Sequence, residues 1–124
     1  MEIAKEEEVP EQSYRTQQEE FLKELRKNIT ASYEPIASRL KKAIREENYT
    51  EPEYKTIDNL LNNASHTLMK SWSYYKQKYP HLSDDYIQDM TVEEMETVET
   101  RLWKPDWDKY KMEYLRRRKA AGNN

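Results

Sequence analysis

The chain has 124 residues, 36% of them charged, with a formal net charge of −3, a mean hydropathy of −1.26 and no cysteine. That length suits one domain, and the missing cysteines exclude disulfides, a thiolate metal site and a thiol nucleophile. No run approaches the roughly 18 apolar residues of a membrane span, and a chain whose only glycine is Gly122 cannot build the glycine-dependent loops that cradle phosphates.

Leu, Ile, Val and Phe together fall below the roughly 20% under which disorder becomes an option. Ten Tyr, three Trp and one Phe, with nearly balanced charge, argue for a folded chain instead. The charge-dense periodic pattern reads as all-α. A core so short of aliphatic side chains is marginal alone, so a protein partner or homo-oligomer is expected, with Tyr and Trp supplying the contact.

Residues 1–12 carry five glutamates against Lys5 and read as a disordered acidic tail. They lack the apolar stretch of a signal peptide, and the expected location is the cytoplasm or a particle assembled there. The folded domain is expected over 13–119, with 120–124 a second disordered tail. Tyr14, Phe21, Leu22, Leu25 and Ile29 share one helix face, and the stripe continues through Ile36, Leu40 and Ala43. Ser32 and Pro35 interrupt it as a cap and a first-turn proline, which predicts two helices over 13–31 and 33–47, or one kinked rod.

The segment about 50–79 is the most strongly periodic. Tyr54, Ile57, Leu61, Ala64, Leu68, Trp72, Tyr75 and Tyr79 recur at helical spacing. Thr50 and Glu53 form a capping box, Pro52 suits the first turn, and Tyr49 with Tyr54 suits a hydrophobic staple. Pro80 ends the run. A long helix here, folding back on the kinked N-terminal pair, makes a helical hairpin. Beyond it, Ser83 predicts a short acidic helix, and Thr91 with Glu94 a second capping box ahead of Met95, Val98 and Leu102. Pro105 opens a last helix bearing Trp107, Tyr110 and either Tyr114 or Leu115. These short C-terminal helices are expected to pack across one end of the hairpin.

Charge is separated along the chain. His81 to Trp103 holds seven acids against Arg101, whereas Lys104 to Asn124 holds seven bases against three acids. Neither His66 nor His81 stands at a metal-ligand spacing, and almost every acid falls on a polar face, so no metal site, cofactor, small-molecule substrate or catalytic residue is expected. The chain does not read as an enzyme. Two patterns remain as candidate sites. Trp72, Tyr75, Trp103, Trp107, Tyr110 and Tyr114 form aromatic stripes that either fill the core or dock a protein partner. Lys111, Arg116, Arg117, Arg118 and Lys119 either offset the last helix dipole, bind an acidic protein or contact nucleic acid. The expectation is a non-catalytic interaction protein of the accessory, assembly-factor or inhibitor kind, possible in phage or mobile elements. The alternative is a nucleic-acid-binding accessory or regulatory protein using the basic C-terminal helix.

Overall fold

The computed structural model describes residues 11–122, and among these every regular element is a helix. Residues 1–10 and 123–124, the greater part of the first expected tail and the end of the second, lie outside the described residues. The elements are α1 (Glu11–Arg45), α2 (Glu51–Met69), α3 (Trp72–Lys78), α4 (Asp84–Leu102) and α5 (Lys104–Gly122). At 1.5 Å per residue α1 alone is about 52 Å long. The others assemble into two further rods beside it. α2 and α3 run back along α1, because Glu53 meets Arg39, Ser65 meets Tyr33 and Tyr79 meets Glu24. α4 then follows α1 in its own direction, pairing Glu94 with Arg26 and Glu99 with Tyr33. The result is an up-down-up bundle of three rods, no membrane-spanning helix among them.

α1 passes through Pro35 as one helix. The proline removes a single backbone hydrogen bond, while Phe21, Leu25, Ile29, Tyr33, Ala37 and Leu40 stay buried on both sides of it. Continuity of that stripe outweighs the local cost. Ser32 caps nothing; its hydroxyl donates back to the Asn28 carbonyl at 2.9 Å, as mid-helix serines do.

The second rod is a bent pair in place of one long helix. Lys70 and Ser71 hold ψ near zero, at −5° and 0°. The Ser71 amide bonds Leu68 three residues back, and its hydroxyl donates to the same carbonyl at 2.6 Å. A turn tightened this way redirects the axis without ending the rod. At the entry to α2, Thr50 accepts from the Glu53 amide. Glu53, expected to reach back to the cap, pairs with Arg39 instead, at 2.8 and 3.0 Å.

The third rod also differs from its sequence reading. Ser83 caps α4, accepting from the Tyr86 amide at 3.1 Å. No second helix begins at Thr91, which is buried inside α4 and donates to the Ile87 carbonyl at 2.7 Å. α4 lies along α1 instead of across an end. Only Trp103 separates α4 from α5, its amide closing α4 on Glu99 and its carbonyl accepting from Trp107. α5 then covers the turn between α1 and α2.

Candidate functional site

Five of the six aromatic candidates face inward. Trp103, Trp107, Tyr110 and Tyr114 are buried, as is Tyr75, while Trp72 is half-buried against the core. Their partners lie within the chain. Trp107, Tyr110 and Tyr114 are one helical turn apart on α5 and close around Tyr49 of the α1–α2 turn and Tyr54 at the start of α2. Tyr54 stacks on Tyr114 at 4.3 Å and on Trp107 at 5.3 Å between centroids, and Tyr49 lies 4.9 Å from Tyr110. The Tyr110 hydroxyl donates to the Asn48 carbonyl at 2.7 Å. Burial leads in pushing the Tyr110 phenol up to about 12, with the Glu53 charge adding to it. Trp103 meets Tyr33 edge-on at 5.5 Å, and its buried Nε1 has no partner among the described residues. Tyr75 packs edge-on against Phe21 at 5.2 Å and accepts from the Asn28 amide at 2.8 Å. These rings glue rods together.

The basic candidates are also largely committed. Glu113 accepts from Arg116 and Arg117, each Nε at 2.8 Å, and those bonds hold its carboxyl down at about 2. Arg117 further reaches Glu47 at 3.1 Å and covers the Tyr49 ring at 4.6 Å. Arg118 donates to the Tyr114 hydroxyl at 2.9 Å. Lys111 stands 3.7 Å from Asp108 and over the Trp107 ring. Lys119 alone of the five has no ion pair among the described residues, a condition it shares with Lys109. The arginine run fastens the outer turns of α5 to the α1–α2 turn.

Three polar clusters escape a reading of helix faces. Glu94 is buried, and Arg26 grips it with two bonds of 2.9 Å, so not every acid lies on a polar face. Tyr33 donates to Glu99 at 2.7 Å, which leaves the Ser65 hydroxyl to donate to Tyr33 at 2.7 Å. Glu24 accepts from Tyr74 at 2.6 Å, Tyr79 at 2.7 Å and Lys78 at 2.8 Å. Burial is the largest influence on Glu24 and pushes its carboxyl up. The bonds from Lys78, Tyr74 and Tyr79 together outweigh it and hold the group at about 2. Each cluster ties α1 to another rod. Among the described residues no group of three His, Cys, Asp or Glu side chains is placed to hold a metal ion.

What the bundle leaves outside is distinctive. Met69, Val92, Met112 and Leu115 are 55%, 51%, 72% and 59% exposed. α4 buries Ile87, Thr91, Glu94 and Val98, so its solvent face is Asp85, Asp89, Val92, Glu93 and Glu96. Met69 and Val92 share a groove of about 300 Å³ between α2 and α4 with Ser65, Met95, Glu96 and Glu99, and Lys104 at the start of α5 lines it as well. α5 buries Trp107, Tyr110 and Tyr114, so its solvent face includes Asp108, Lys109, Met112, Leu115, Arg116 and Lys119. The phase of the inward stripes was the signal for both faces: Met112 lies opposite the buried positions of α5, and Val92 lies at the edge of those of α4, beside Met95. Compared with models of protein families, with curated proteins and with solved structures, the chain finds no match.

Proposed function

We propose that the chain is a non-catalytic helical interaction module, an accessory, assembly or inhibitory protein that docks macromolecules through the outward faces of α4 and α5. One observation carries this reading: neighbouring helices present opposite charge, and each sets large apolar side chains in water amid that charge. Solvated apolar groups ringed by charge are the anatomy of an interface core with its polar rim. The docking aromatics foreseen from the sequence serve the bundle itself, so the grip passes to Met69, Val92, Met112 and Leu115.

The chemistry of the interior supports a non-catalytic role. A general acid or base works best with a pKa near the operating pH. Two partly buried groups of the interior, Tyr33 and Glu24, are driven away from neutrality. Burial pushes the Tyr33 phenol well up, the bond from Ser65 opposes it and the bond to Glu99 adds to it, and Glu24 is held at about 2.

Nucleic-acid binding through α5 has one supporting observation, the outward Lys109 and Lys119, but the arginines that a phosphate backbone would need are engaged with Glu113, Glu47 and Tyr114. Affinity capture from the native host separates the two. The wild type is expected to retain a protein that Val92→Ser/Met112→Ser/Leu115→Ser loses, with nuclease treatment making no difference. Identical capture by both proteins overturns the reading, and capture abolished by nuclease transfers it to nucleic acid.

A further inference from the structure

The outward face of α4 and the outward face of α5 are complements of one another. On α4, Val92 stands amid Asp85, Asp89, Glu93 and Glu96, with Met69 of α2 at its shoulder. On α5, Met112 and Leu115 stand amid Lys109, Lys119 and Arg116, which also holds Glu113, and the exposed Asp108 one turn before Met112 is offset by Lys111 at 3.7 Å. The acidic stripe spans about 17 Å and the basic stripe about 15 Å at 1.5 Å per residue. On α4 the acids line one side of Val92 and the Met69 groove lies on its other side, so an α5 laid there pairs its bases with the acids while its apolar side chains meet Val92 and the groove. α5 cannot fold back onto α4 of its own chain, because Trp107, Tyr110 and Tyr114 pin its other face to Tyr49 and Tyr54. The occupant that fits must come from outside.

We infer that this occupant is a second copy of the chain: α5 of one copy docks along α4 of another, with Met112 and Leu115 entering the Met69–Val92 groove. The inference rests on the docking reading above and names its partner. Charge complementarity carries it. Acids on one stripe face bases on the other, while two α4 faces or two α5 faces set against each other would repel. The contact joins unlike surfaces, so two copies close it only by exchanging it reciprocally; otherwise copies add in a row.

Two charge-reversed proteins test it by sedimentation velocity. One carries Glu93→Lys/Glu96→Lys and the other Lys109→Glu/Lys119→Glu. None of these four side chains makes an ion pair among the described residues, and circular dichroism with a melting curve checks that both variants fold. The wild type is expected to self-associate, more weakly as salt is added. Each variant alone is expected to associate at least tenfold more weakly. An equimolar mixture should regain association, because each variant then offers the other a complementary pair of faces. Val92→Ser/Met112→Ser should weaken the wild-type association at every salt concentration. A wild type that sediments as a monomer at several hundred micromolar, or a mixture that stays monomeric, overturns self-docking. Neither result touches capture of a host protein by the same faces, which is measured separately.

Discussion

Glu47 has a φ of 52°, the left-handed region, although it carries a Cβ. Its neighbours explain why. The Asn48 amide donates to Ala43 at 2.8 Å and the Glu47 amide to Ile44 at 3.1 Å, the paired bonds of a Schellman ending to α1. Glycine is the usual residue at that position, and a non-glycine residue there costs about 1 kcal/mol. Against this stands an ion pair from Glu47 to Arg117 whose side chains are well exposed and screened by solvent, so that it contributes little. Glu47→Gly is therefore expected to stabilise the fold by about 0.5 kcal/mol, seen as a rise of a few degrees in melting temperature. A fall would mean that the Arg117 contact outweighs the backbone strain. Glu24 gives the opposite case. Its folded value of about 2 lies below the ordinary 4.5, so folding favours the ionised form. The stability it contributes is complete above pH 4.5 and is lost as the pH falls toward 2. Glu24→Gln should cost about 1–2 kcal/mol at pH 7, discounted for the exposure of Lys78. The two proteins should converge in urea titrations near pH 2, and a gap that persisted there would assign the loss to packing.

At the scale of elements, the inward stripes could be read from spacing alone, and their ends could not. α1 keeps one phase from Phe21 to Ala43, and that phase carries the helix through Pro35. An alanine at 35 would regain the hydrogen bond to the Ala31 carbonyl and remove the ring's clash, but it would also free the unfolded chain. Pro35→Ala is expected to gain about 1–2 kcal/mol in chemical denaturation; a loss would show that α1 needs its proline to follow the other rods. Thr91 illustrates the limit. A Thr followed three residues later by Glu is the pattern of a helix start, yet buried in mid-helix the same hydroxyl simply bonds back to Ile87. The bend at Lys70–Ser71 left no glycine or proline to betray it. The aromatic stripes posed a deeper ambiguity. Spacing puts Trp107, Tyr110 and Tyr114 on one side of α5, but whether that side meets Tyr54 or another protein is decided by the path of the whole chain. The outward apolar residues were legible only as exceptions, since four side chains off the stripe are an ordinary surface until the fold brings them onto complementary faces.

For the molecule as a whole, the distribution of aliphatic and aromatic contacts sets where it opens first. Toward the start of the rods, α1 is held by Phe21, Leu25 and Ile29 against Tyr75, Tyr79 and Ile87, and by the Glu24 and Glu94 clusters. At the other end, the buried contacts of α5 are made by rings, its remaining ties are exposed arginine pairs, and every residue from 115 to 122 is exposed. Elements with few buried apolar contacts unfold locally below the global free energy. α5 should therefore open as a unit while α1 and α4 remain closed. Native-state hydrogen exchange should find the α5 amides protected less than those of residues 21–40. Trp107→Ala tests the cause, because it deletes the ring that stacks on both Tyr54 and Tyr110. The expected global cost is about 3 kcal/mol, with protection lost in α5 before it is lost in α1. Equal loss throughout would make the bundle one cooperative block, with α5 an integral part of its core. Selective loss would place the basic face on a helix that the body holds loosely, and a partner closing over Met112 and Leu115 would then restore protection to α5 first.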